Sequence, residues 1–150
     1  MSEWVLLLGG STGHGAATAK KLAEDGYGII AFHFDRGEAK KIAEETIAEV
    51  NELSNGKCHY FNTNAASEET IDKYLPKISE ITKGNSLKLL LHSIAFGTTT
   101  NFFGDKPVTQ RQMDMTVHVM GNSLLYWTQK LFSEKLLGEG SRVIGLTSEG

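Results

Sequence analysis

Cysteine is almost missing from this chain. Cys58 is the only one in 150 residues, so no internal disulfide braces the fold and no cysteine pair is on hand for a metal site. There is no apolar run of membrane-spanning length and no secretory leader pattern. Positive charge is not in excess either. Fifteen Lys and Arg stand against eighteen Asp and Glu, a net charge of −3, which argues against nucleic acid as the main partner. Internal repeats, low-complexity tracts and linkers are also absent, so nothing marks a boundary inside the chain. What remains is a soluble, cytoplasmic protein of one domain, 1–150, whose 40% apolar residues suffice for a single core.

What the sequence does have is concentrated between Trp4 and Ala23, WVLLLGGSTGHGAATAKKLA. An apolar run, Trp4 to Leu8, reads as a strand covered on both faces. It breaks into a glycine-rich turn and resumes as an alanine-rich helical pattern. Glycines let the backbone of such a turn bend sharply and approach a ligand closely. A helix starting there aims unpaired N–H groups and the positive end of its dipole into the turn, and a dinucleotide pyrophosphate is the commonest occupant. Spacing separates the kinds of phosphate loop. Gly10 and Gly15 have Walker spacing, but Ala16 follows where a Lys is required. A GxGxxG fingerprint starting at Gly13 and Gly15 meets Thr18 in place of its third glycine. Gly9, Gly13 and Gly15 fit GxxxGxG instead.

Further strands are expected at Ile29 to Phe34, Cys58 to Phe61, Leu87 to His92 and Arg142 to Thr147. Between them run helical periodicities. Asp25-Gly26 stops the first helix. The second carries an apolar stripe of Ala39, Ile42, Ala43, Thr46, Ile47, Val50 and Leu53. The third starts at Ser67 and buries Ile71, Tyr74 or Leu75, Ile78 and Ile81, with Pro76 predicting either a kink or two short pieces. Thr109 and Gln112 form a capping box ahead of a long fourth helix, with Val117, Met120, Leu124, Trp127 or Thr128, and Leu131 on its buried stripe. Strands alternating with helices predict a doubly wound parallel sheet with helices on both faces, the Rossmann type of α/β fold. Ligands then belong at the C-terminal ends of the strands. Those ends are the glycine loop, Phe32 to Arg36, Asn62 to Ala65, His92 to Gly97 and Thr147 to Gly150, each small or polar after an apolar run.

The GxxxGxG loop resembles the cofactor loop of short-chain dehydrogenases/reductases. His92-Ser93-Ile94-Ala95-Phe96-Gly97 resembles the segment after the fourth strand in the enoyl-acyl-carrier-protein reductases of that family. The chain is thereby identified as the N-terminal, dinucleotide-binding part of a longer reductase, with the resemblance running from Val5 to Gly150. By that resemblance Gly9, Ser11, Thr12, Gly13, His14 and Gly15 wrap the pyrophosphate, Asn64 and Ala65 flank the adenine, and Ser93, Ile94 and Ala95 line the nicotinamide side. Cofactor choice falls to the end of the second strand, where an acid binds the ribose hydroxyls of NAD and a basic residue accommodates the phosphate of NADP. His33 occupies the usual acid's position and Arg36 is in reach, favouring NADPH, while Asp35 keeps NADH as the other candidate.

The resemblance implies hydride transfer to an enoyl thioester, with a catalytic Tyr and Lys beyond Gly150 and Ser148 as a candidate active-site residue. Glu149 stands where enoyl reductases often have a second Tyr. Ketone or alcohol chemistry, and a silent dinucleotide-binding module or redox sensor, are the alternatives. Tyr126 and Lys130 match Tyr-x-x-x-Lys, but they precede the fifth strand and read as a packing or interface pair. The resemblance also implies a dimer or tetramer joined through the fourth helix, with Tyr126 and Trp127 as contacts. The histidines at 14, 33, 59, 92 and 118 have no metal-ligand spacing, and His118 stays unassigned.

Overall fold

The computed structural model describes residues 2–148. Its elements run β1 (Trp4–Leu8), α1 (Gly13–Glu24), β2 (Gly28–His33), α2 (Glu38–Leu53), β3 (Cys58–Asn62), α3 (Glu68–Thr82), β4 (Leu89–His92), α4 (Gln110–Val117), a π-helical turn (His118–Asn122), α5 (Ser123–Ser133) and β5 (Arg142–Gly145). The five strands form one parallel sheet in the order β3-β2-β1-β4-β5. The chain starts in the middle, steps outward through β2 and β3, and returns to build the other half from β4. That reversal between β1 and β4 leaves a crevice at their C-terminal ends, as in other Rossmann-type folds.

The sheet is covered on both faces because side chains alternate along its strands. Leu6, Leu8, Ile30 and Phe32 pack on one side against Ile71, Leu75 and Ile78 of α3 and Trp127 and Leu131 of α5. Val5, Leu7, Ile29 and Ala31 pack on the other against Ala19 and Ala23 of α1 and Val50 of α2. Each large side chain buried this way stabilises the fold by about 1.5–3 kcal/mol before chain entropy is subtracted. Alanine is needed on α1 because the helix lies close to β1, and Gly15 at its start lies so near the Gly9 carbonyl that a Cβ would collide with it.

Five expectations need correction. Of the two alternatives at Pro76, a kink or two short pieces, the second does not occur: α3 is continuous over fifteen residues. Pro76 and Asp72 are both exposed, so the Asp72 carbonyl, deprived of its donor, faces water, while buried Leu75 and Ile78 hold the helix in place. The long fourth helix is α4 and α5 joined by the π turn, whose wider winding shifts the pattern by a residue. Val117 and Met120, expected on the buried stripe, are therefore 51% and 45% exposed, and Val119 and Ser123 are buried instead. Ile42 of α2 is likewise exposed, because only Ala43, Thr46 and Val50 of that helix reach the core. Trp127 cannot be a subunit contact: it is fully buried, with its indole N–H donating to the Ala65 carbonyl at 2.7 Å. Strand β5 ends at Gly145 rather than Thr147, and all four of its residues are exposed because it is an edge strand.

Candidate functional site

The first wall of the crevice is the turn between β1 and α1. Its backbone is tied to the neighbouring strand by two amides, Gly9 and Gly10, that both donate to the Phe32 carbonyl at 2.9 and 3.1 Å. Gly9 has φ of +92°, and a Cβ there would strike the Ser93 carbonyl of β4's extension. The turn thus fits tightly between the ends of β2 and β4, and only glycine allows it. Helix α1 opens at Thr12 with no side-chain cap and no acidic residue in its first turn. Its leading N–H groups and dipole are left for an anion.

At the end of β2 a cluster forms that the sequence does not announce. The Ser11 hydroxyl donates to Asp35 Oδ2 at 2.6 Å, and His33 Nδ1 lies 2.8 Å from the same oxygen. Asn62, ending β3, clamps the Asp35 backbone from both sides, its Oδ1 accepting from the Asp35 N–H and its Nδ2 donating to the Asp35 carbonyl, each at 3.0 Å. Tyr60 donates to the Gly10 carbonyl at 3.2 Å, and burial pushes its phenol well above the usual range, so it stays neutral.

The opposite wall comes from the ends of β3 and β4 and from the π turn. Asn64 Oδ1 accepts from the Ala66 N–H at 3.0 Å, closing a small turn. The Ala65 carbonyl is taken by Trp127 and the Ala66 carbonyl by His118 Nε2 at 2.8 Å, so this segment is latched to the π turn and α5. His92, at the end of β4, is 2% exposed. The Ser123 hydroxyl donates to the Val119 carbonyl at 2.7 Å, so its oxygen accepts from His92 Nε2–H, also at 2.7 Å. Burial holds the His92 imidazole below its usual range and keeps it neutral.

Between these walls lies a cavity of about 370 Å³. Gly9, Ser11, Thr12, His33, Asn64, Ala65, Ser93, Ile94 and Ala95, drawn from distant parts of the sequence, all line it. Gly13 and His14 are exposed on the first turn of α1 beside it, and Gly15 is buried behind the loop. Arg36 is exposed, with its guanidinium 4.7 Å from the Phe34 ring centroid, and Phe34 itself is on the cavity wall. Ser148 is exposed and lies three residues beyond β5, off the wall. The reading of Glu149 lies outside the described residues.

Tyr126 and Lys130 face a separate surface hollow, and Lys130 pairs with Asp72 at 2.8 Å. Phe32, Phe34, Thr63 and Phe96, which fall within the strand ends singled out in the sequence, also line the wall, whereas sequence reasoning missed Met115, His118 and Val119. For the last three the missing signal is the π turn, which leaves no mark on a 3.6-residue period. No group of three or more His, Cys, Asp or Glu capable of holding a metal exists among the described residues, and no helix among them is long and apolar enough to cross a membrane.

The residues present fit a dinucleotide phosphate: the loop approaches so closely that side chains are excluded, and an uncapped helix start faces it. The family model for short chain dehydrogenase matches residues 3–150. The chain belongs to the short-chain dehydrogenase family. Among solved structures, a short-chain dehydrogenase/reductase from Serratia marcescens superposes with a TM-score of 0.76 at 20% identity, covering 95% of this chain and 54% of that one. A structure described, provisionally, as the carbonyl reductase Sniffer of Caenorhabditis elegans gives a TM-score of 0.64 at 20% identity over 89% and 53%. The chain thus spans about half the length of the short-chain dehydrogenase structures it matches. No curated protein sequence matches it. Membership makes it part of a family of oxidoreductases that use NAD(P).

Proposed function

We propose that this chain is the cofactor-binding part of an NAD(P)H-dependent reductase acting on the carbon–carbon double bond of an enoyl thioester, carried on acyl carrier protein or coenzyme A. One contact carries the reading. Gly9 of the phosphate loop is seated against the Ser93 carbonyl, so the segment resembling that of enoyl reductases, His92 to Gly97, forms the wall facing the loop. Ile94, Phe96, Met115 and Val119 make that side of the cavity apolar, suited to an acyl chain and to excluding water from a hydride transfer. When bound, the nicotinamide supplies hydride to the substrate. The chain's own contribution is to bind the pyrophosphate at α1, to orient the adenosine between Asn64–Ala65 and the end of β2, and to keep water from the apolar wall. Ser148 is the candidate active-site residue from this chain. NADPH is the favoured cofactor because His33 stands where NAD enzymes have an acid and Arg36 follows closely.

A second reading, ketone reduction, draws on the glycine loop, whose spacing is that of the family at large. The protein is also proposed to work as a cytoplasmic homo-oligomer. In support, Met120 of the π turn and Leu125 and Phe132 of α5 are exposed. The test is to mix the complete protein with NADPH and crotonyl-CoA and follow the loss of NADPH absorbance, with acetoacetyl-CoA in parallel. Oxidation with crotonyl-CoA supports enoyl reduction, and oxidation with acetoacetyl-CoA alone supports the second reading. Tight NADPH binding without oxidation of either kind would mark a silent binding module.

A further inference from the structure

His33 is 8% exposed, lies on the cavity wall and has no part in the proposed hydride transfer. Its ring nitrogen touches the one carboxylate oxygen that also accepts from Ser11. Asn62 fixes the backbone that carries this carboxylate, through the Asp35 N–H and C=O. Oδ1 makes no hydrogen bond among the described residues and remains available to a ligand hydroxyl. The groups around the imidazole from other elements, Ser11 of the loop and Tyr60 of β3 at 6.0 Å between rings, are neutral. The charged side chains on its own segment are Asp35 and Arg36.

Resting on the nicotinamide reading, we propose that His33 and Asp35 form a protonation-gated selector for the adenosine 2′-substituent of the cofactor. When the imidazole is protonated, the pair is neutral overall, and Arg36 leaves the subsite attractive to a 2′-phosphate. When it is neutral, the carboxylate carries an uncompensated negative charge beside that position. A phosphate is then repelled, and the free 2′-hydroxyl of NAD can donate to Oδ1. Histidine is the side chain that ordinarily changes charge between pH 5 and 8. One added charge next to a phosphate changes its affinity by about tenfold at the effective dielectric of a protein surface.

The test is the affinity of the protein for NADP⁺ and NAD⁺, both stable in acid, by calorimetric titration from pH 5.5 to 8.5 for wild type and His33→Asn, whose amide nitrogen can still donate to Asp35. A 2′-phosphate titrates near pH 6 itself, so the decisive quantity is the NADP⁺/NAD⁺ affinity ratio in wild type relative to the variant. That quotient is expected to fall about tenfold as pH rises through the range. A flat quotient overturns the gate while leaving nicotinamide binding intact. Failure of both nucleotides to bind wild type at any pH overturns both readings. Should the variant not fold, the imidazole proton resonances of His33 in the wild-type protein decide: saturating NADP⁺ must raise its titration midpoint above that found with NAD⁺, and equal midpoints overturn the proposal.

Discussion

Two buried residues beside the crevice show how little freedom the site has. A methyl group at position 15 would be driven into the Gly9 carbonyl. Gly15→Ala is therefore expected to cost about 1–3 kcal/mol of stability through overpacking and to reduce NADP⁺ affinity by at least about tenfold. Urea unfolding and nucleotide titration on the same sample check both. His92 makes a pH-dependent contribution. Its folded-state imidazole is held below the ordinary range by burial, so the unfolded chain takes up a proton first as the solution is acidified. Stability from this group is complete above about pH 6.5, the ordinary imidazole value, and drains away as pH falls below it. Melting temperature should drop between pH 7.5 and 5.5, and His92→Asn should lessen that drop. His59, shifted the same way by partial burial and by Lys77, contributes in the same direction. An identical drop in the variant would remove His92 from the account.

At the level of elements, the segment after β3 depends on helices far away in sequence. Trp127 holds the Ala65 carbonyl, and Trp127→Phe keeps an aromatic ring, though a smaller one, and leaves that buried acceptor without its donor. The expected loss is about 1–3 kcal/mol, together with weaker nucleotide binding because Ala65 lines the cavity. Destabilisation with unchanged affinity would show that the segment does not need its latch to bind. The same elements show what could be read in advance. The strand, turn and helix from Trp4 to Glu24 were legible because glycine, apolar run and helical pattern all agree locally. The capping box at Thr109 was legible for the same reason, and both of its hydrogen bonds form. The π turn was not, since nothing in His118 to Asn122 distinguishes one extra residue per turn from ordinary winding. The Ser11–Asp35–His33 cluster was half legible: Asp35 and His33 stood out as candidates, but their meeting with Ser11 depends on the register of β1 against β2.

On the scale of the whole molecule, the two sheet halves differ in cover. The strands β1 and β2 are fully enclosed, with almost every residue buried. Strand β5 lies at the rim, with Val143 and Ile144 nearly half exposed. Apolar surface also continues beyond it at Leu146. Among the described residues only one flank of β5 is joined to a neighbour: Arg142 N–H donates to the Lys88 carbonyl and Leu146 N–H to that of His92. Backbone amides in a parallel strand point alternately left and right, so those of Arg142, Ile144 and Leu146 turn toward β4 while those of Val143 and Gly145 point away from it. In heavy water the strand should therefore label in a one-on, one-off rhythm, Val143 and Gly145 filling with deuterium well before their immediate neighbours. Uniform slow uptake along all five positions would mean that some other backbone had come to lie alongside.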